Sequence, residues 1–292
     1  RGACGGACPR SPGMSLSDVA ARMGRMSLAT ESGYTAEELE AVLAVRNALL
    51  ERGVPRDALQ EVPLITVTLV AKCRVEEAVT KFMTYREDLL AAYGVTDVFS
   101  AAAEKALAEQ WHRLAVAGVD EEGRQIMWIH GGGTQADEEH ACIWASTLYF
   151  FAVHADLVSL RNGITLVIDT SNAPKKKVGN ERKLQVAWQN YPTRPQHIFV
   201  LGTSALTRVA INALIAFASL FAKNKVIARI QFSDVAKVGQ LVGKTNLPER
   251  HGGAARAATS AWVAQRLAAF PRMGLPDEPD PEPERAGRCQ DV

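Results

Sequence analysis

The sequence has almost no charge of one sign to spare: 33 lysines and arginines stand against 32 aspartates and glutamates, a formal charge of +1. Binding duplex nucleic acid calls for a basic excess spread over a whole face, so the balance argues against nucleic acid as a partner. A hydrophobic content of 47% likewise excludes a wholly disordered chain. Cysteine is scarce and scattered. Cys4, Cys8, Cys73, Cys142 and Cys289 form no C-x-x-C pair and have no histidine at ligand spacing. They read as reduced thiols of a cytosolic protein, with no metal site or disulfide framework among them. Long apolar runs are missing as well. The longest, Val209 to Ala222, is interrupted by Asn212 and Ser219 and is shorter than the roughly 20 residues that cross a bilayer. Residues 1–13, before Met14, lack the apolar core of a secretory signal and are set aside from the fold.

What is present reads first as helix and then as alternating strand and helix. Thr35 with Glu38 three residues on forms a capping box, and Leu39, Val42, Leu43, Val45, Leu49 and Leu50 continue at helical spacing to Glu51. Val62 to Ala71 is a short apolar segment. Val75 to Tyr93 is a second amphipathic helix that Gly94 stops. A helix is expected around Ala101 to Leu114, followed by a turn from Val119 to Arg124. Strand-length apolar runs then occupy Gln125 to His130, Ile164 to Asp169, His197 to Gly202 and Val226 to Phe232. Helical segments at about 137–160, 181–190 and 206–222 separate them. That alternation predicts an α/β fold with a mainly parallel sheet and right-handed crossover helices, preceded by a small all-helical module. The expected organisation is a disordered segment 1–33, the helical module 34–94, an α/β domain 95–253, a C-terminal helix 254–271 and an acidic proline-rich tail 272–292.

Three enzyme-like motifs fall short of their chemistry. His130-Gly131-Gly132-Gly133 follows a strand, as the oxyanion turn of an esterase does, and Ser204, Asp234 and His251 come in hydrolase chain order. A nucleophile elbow needs glycine on both sides of the serine, however, and Leu206 stands where the second should be. Gly243-Lys244-Thr245 resembles the end of a phosphate-binding loop, but Val238 replaces its first glycine and Pro248 forbids the following helix. The basic run Lys175-Lys176-Lys177 with Arg182 and Lys183 could meet anionic headgroups or nucleic acid, but it lacks the interleaved aromatics of a single-strand binder and reads first as a solvated face.

The segment Leu206 to Ala222 is apolar on nearly every face. Such a helix lies in a large core, rests on a membrane or walls a cavity that holds an apolar ligand.

Five short motifs in order decide among these. Val75-Glu76-Glu77-Ala78 with Tyr85-Arg86 resembles the helical N-terminal module of the CRAL-TRIO lipid-binding family. Asp120-Glu121-Glu122-Gly123-Arg124 is similar to its "D-x-x-G-R-P" hairpin, Leu166-Val167-Ile168-Asp169 to its central strand, and Tyr191-Pro192-Thr193-Arg194 to its "Y-P-E-R" turn. Leu247-Pro248-Glu249-Arg250-His251-Gly252-Gly253 is similar to its closing "L-P-x-x-Y-G-G". The resemblance runs from about Val62 to Gly253 and is to members like the yeast-type phosphatidylinositol transfer proteins.

The resemblance implies a non-enzymatic carrier that holds one lipid in a hydrophobic pocket and exchanges it at a membrane surface. It further implies a cytoplasmic protein in reversible peripheral contact with membranes, without cofactor or metal. The sheet would form the floor, with Met127, Ile164, Leu166, Ile168, Ile198 and Val200 in the pocket. The apolar helix would be a gate contributing Leu214, Phe217 and Phe221. Arg229, Thr193 and Tyr191 would meet the headgroup. Two departures bear on the ligand: Thr193 replaces the acid of the family turn, and Ala71 aligns with its N-terminal arginine. The floor carries none of the hydroxyls of phosphatidylcholine binders, so a phosphoinositide and a sterol or other neutral lipid both remain as ligands. A recruitment scaffold is the alternative, with a serine hydrolase behind it.

Overall fold

The computed structural model describes residue 27 and residues 30–91, 94, 98–99, 114–130, 139–171, 191–202 and 229–275, with the backbone alone at 139–144. Helix α1, Ala36–Glu51, opens on the expected capping box: the Glu38 amide donates to Thr35 Oγ1 at 3.2 Å and the Thr35 amide to Glu38 Oε2 at 2.9 Å. The short apolar segment is itself a helix, α2, Glu61–Val70. It shows no polar stripe because every residue from Val62 to Val70 is buried. Its Thr66 and Thr68 hydroxyls donate to the carbonyls of Val62 and Leu64, at 2.7 and 2.8 Å, so two polar side chains survive inside the core. Helix α3, Val75–Thr84, runs into a π turn, Tyr85–Leu90, where one uninterrupted helix to Tyr93 was expected.

The sheet has six strands in the order β5-β4-β3-β2-β1-β6. These are β1, Leu114–Val119; β2, Gln125–His130; β3, Ile164–Asp169; β4, Pro195–Leu201; β5, Ile230–Phe232; and β6, Arg256–Ala257. Strands β2 to β5 are parallel, and β1 pairs antiparallel with both β2 and β6. The mixed α/β architecture expected from the sequence is therefore present, with an antiparallel hairpin added at one side. Asp120 holds that hairpin: its carboxylate accepts from the Glu122 and Arg124 amides, from Arg124 Nε at 2.9 Å and from Thr165 Oγ1 at 2.6 Å. Leu114, expected as the last residue of a helix, instead opens β1.

The helices differ from expectation where a polar side chain stops the backbone. The long helix expected over 137–160 is two, α4, Glu139–Val153, and α5, Leu157–Asn162. Asp156 breaks it by capping α5, its carboxylate accepting the Ser159 amide at 2.7 Å. Helix α6, Val235–Val242, which the sequence reading missed, is capped by Asp234. The helix expected from Ala254 begins only at Ser260 as α7, Ser260–Ala268, because Arg256 and Ala257 are taken into β6 and Thr259 supplies the cap. Helices expected at 181–190 and 206–222, and most of that at 101–114, lie outside the described residues.

Two apolar clusters cover the two faces of the sheet. One joins α1 to α5 and α7 to Met127, Ile129, Ile164, Leu166 and Ile198. The other joins Trp128, Val167, Phe199 and Leu201 to Val238 and Val242 of α6 and to Leu247. Beyond α7, Phe270 and Met273 are buried, Tyr34 Oη donates to the Pro271 carbonyl at 2.8 Å, and Glu61 Oε1 accepts the Met273 and Gly274 amides. Residues 270–275 thus fasten the end of the α/β region to the helical module. Among the described residues no helix is long and apolar enough to cross a membrane.

Candidate functional site

Strand alternation and register place the expected floor residues together. In the parallel ladder Met127, Leu166 and Ile198 are partners in one row, and Ile129, Ile168 and Val200 in the next. Partners in a ladder point to the same side, and Ile164 stands two residues before Leu166, so all six expected floor residues share one face. Met127 and Ile164 are fully buried, Leu166, Ile198 and Val200 nearly so, and Ile168 half-buried. Leu214, Phe217 and Phe221, expected as the gate side of the pocket, lie outside the described residues. An open cleft of about 290 Å³ lies between Gln60, Glu61 and Val62 of the helical module and Phe99 and Arg272, not on this face.

The three expected headgroup residues are held by the chain itself. Tyr191 is buried with its ring stacked on Phe150 at 4.1 Å, and its hydroxyl accepts from Thr147 Oγ1 at 3.3 Å. Thr193 Oγ1 lies 3.5 Å from His154 Nε2. His154 is fully buried, which pulls its pKa below the ordinary histidine value, and its Nδ1 reaches the Phe150 carbonyl at 2.7 Å. Arg229 Nη1 donates to the Pro195 carbonyl at 2.9 Å, and Arg194 Nη1 to that of Arg161 at 2.8 Å. Burial and the positive charges of Arg229 and Arg74 pull the Arg194 pKa down. Arg74 follows Lys72 and Cys73, two consecutive residues with φ of 57° and 58°. A guanidinium from the helical module therefore acts on Arg194, although Ala71 itself brings none.

The opposite face carries a polar cluster that the sequence reading did not assemble. In the ladder His130 pairs with Asp169 and Asp169 with Leu201, one row beyond Trp128, Val167 and Phe199. Asp169 is fully buried at the carboxyl end of β3. Its Oδ1 accepts the Ser171 amide at 3.0 Å, and its Oδ2 meets His251 Nε2 at 2.6 Å and Arg250 Nη2. Burial alone would raise the pKa of this carboxyl, but the polar groups turned toward it, His130, His251 and Ser171, hold it far below the usual carboxylate range. Trp128 Nε1 donates to His130 Nδ1 at 3.1 Å, and Arg250 Nη2 reaches the same nitrogen.

This arrangement corrects the hydrolase order. His251 is paired with Asp169, whereas the Asp234 carboxylate caps α6 by accepting the Lys237 amide at 2.7 Å. Ser204 lies outside the described residues. Among the described residues no group of three or more histidine, cysteine, aspartate or glutamate side chains is placed to hold a metal ion.

The parallel strands carry two unlike faces, and the closing loop is tied to β3. Residues 114–253 match the family model of the CRAL/TRIO domain. The match starts at the first residue of β1 and spans just under half of the chain, and it supports the CRAL-TRIO family for this segment. No curated protein matches the chain. The CRAL/TRIO match supports lipid binding or transfer in general terms. The motifs that sequence reading quoted at 166–169 and 247–253 both lie in the matched segment, yet their union through Asp169, Arg250 and His251 had no local signal.

Proposed function

We propose that the protein binds one hydrophobic lipid against the Met127, Leu166 and Ile198 face and transfers it between membranes, without covalent chemistry. The carrying observation is that this face of three parallel strands is apolar row after row, while the polar side chains of the same strand ends stand on the other face. Taking a lipid of about 30 methylenes through water costs on the order of 25 kcal/mol at about 0.8 kcal/mol per CH₂, so its carrier must enclose the chains nearly completely. The segment 206–222, apolar on nearly every face, has the composition of a gate that closes over ligand and rests on lipid during exchange. Contact with the membrane is then peripheral and reversible.

Arg194, with the charges of Arg229 and Arg74 acting on it, and Arg229 beside it support an anionic headgroup such as phosphatidylinositol; planar guanidinium forks suit phosphate oxygens. The hydroxyl-free floor supports a sterol or other neutral lipid instead. Transfer of fluorescent phosphatidylinositol and of fluorescent sterol from donor to acceptor liposomes tests the reading. Movement of either, lost in Phe217→Asp with an unchanged far-UV circular dichroism spectrum, supports it, and movement of neither opposes it. A second reading, a recruitment scaffold, is favoured by one observation: Met127 and Ile164 are already fully buried in a cluster with the chain's own helices.

A further inference from the structure

His130 stands at the end of β2 on the face opposite the apolar floor, and its Nδ1 is approached by two donors, Trp128 Nε1 at 3.1 Å and Arg250 Nη2. Both contacts can be hydrogen bonds only when Nδ1 presents its lone pair, as it does in a neutral ring with the proton on Nε2. An imidazolium has no lone pair. On protonation both hydrogen bonds end and a positive ring faces the Arg250 guanidinium. The same ring lies 3.8 Å from Asp169 Oδ2. The buried carboxylate therefore has two alternative cations within reach, Arg250 and a protonated His130.

We propose that this cluster is a proton-operated latch: Asp169 holds Arg250 of the closing loop while His130 is neutral, and exchanges it for His130 when the ring is protonated. The exchange never leaves the carboxylate unpaired, which is what makes two states of similar free energy possible; a buried charge stripped of its only partner would forbid the second state. Among the described residues the charged and titratable groups facing His130 are Asp169 on β3 and Arg250 on the loop, with His251 beyond the carboxylate. His251 offers Nε2–H to Asp169 in either protonation state, so it keeps one anchor of the loop while Arg250 leaves. Arg250 is already one-third exposed, and its release frees a cation at the surface and loosens residues 249–253. The latch acts on the second face and does not depend on what fills the first.

Backbone amides of His251, Gly252 and Gly253 donate within this loop, to the carbonyls of Pro248 and Glu249, and report its opening. Hydrogen exchange of the full chain at pH 7.5 and pH 5.5, either side of the range in which histidines titrate, reads the latch once corrected for intrinsic rates. The expected result is protection of these amides about tenfold lower at pH 5.5 in the wild type and unchanged between the two pH values in His130→Asn, which keeps an acceptor but cannot take up a proton. Arg250→Gln, which has no guanidinium to exchange, is expected to show low protection at both pH values. Wild-type protection that is equal at the two pH values overturns the latch, as does a tenfold change that persists in His130→Asn or in Arg250→Gln.

Discussion

Asp169 and His251 stand 82 residues apart in sequence and meet at 2.6 Å, joining the end of the central strand to the closing loop. A fully buried carboxylate can exist there because the Arg250 guanidinium, the His251 ring and the Ser171 amide all turn toward it.

Replacing that carboxylate should be costly. Asp169→Asn leaves Arg250 and His251 facing a neutral amide, and an expected loss of about 3 kcal/mol follows from breaking a buried ion pair at one partner. Urea unfolding of wild type and variant measures it. The acid dependence carries a second sign. Because the folded carboxyl titrates below its unfolded value of about 3.9, the stability it contributes is present above that value and drains away as pH falls below it. In Asp169→Asn the decline of stability below pH 4 should be correspondingly shallower.

His154 gives a separate pH dependence in a higher window. Its folded pKa is lowered by burial, so the unfolded chain takes up a proton first as pH falls below about 6.5, and stability falls with it until the folded pKa is reached. His154→Asn keeps a donor for the Phe150 carbonyl and has nothing to titrate. Denaturant midpoints between pH 7.5 and pH 5 should slope less in the variant than in wild type; equal slopes would show that burial of His154 is not their source.

Much of this architecture was legible from local signals. The Thr35 cap, β2 and β3 were all readable, because a capping box and a strand-length apolar run each carry their own signature. Helix α2 was not typed, since a helix buried all round shows no period. Strand β1 was missed because Leu114 to Val119 takes its conformation from pairing with β2 and β6, partners that no short window contains. The floor residues came from the family resemblance, and alternation puts Ile164, Leu166 and Ile168 on one side of their strand and Ile198 and Val200 on one side of theirs. The Asp169 cluster was not legible, because its members come from three separated segments.

Glu38 does two jobs, and its loss should reveal both. It closes the capping box and takes Arg161 in a two-pronged contact, with Nε and Nη2 each at 2.7 Å. Glu38→Ala is expected to cost about 2 kcal/mol, of which about 1 belongs to the cap and the rest to the partly buried ion pair. Thermal unfolding in low and high salt separates the two, because the ion-pair part is screened and the cap is not.

Arg229 discriminates between the two classes of lipid. Arg229→Gln should reduce phosphatidylinositol transfer about tenfold while leaving transfer of a neutral lipid unchanged, since a charge-assisted contact to phosphate is worth roughly 1.5 to 3 kcal/mol. Side-by-side liposome assays with the two cargoes give the ratio. A variant that loses both equally would place Arg229 in the scaffold of β4 and its Pro195 carbonyl, not at a headgroup.

The central claim is that one face of the sheet encloses a lipid, and native mass spectrometry of the protein from a lipid-containing host, followed by organic extraction, tests it most directly. The expected result is a single bound lipid at one equivalent, either phosphatidylinositol held through Arg229 or a neutral lipid on the dry floor. A chain that carries no lipid, and acquires none after incubation with liposomes of mixed phospholipid and sterol, would contradict it.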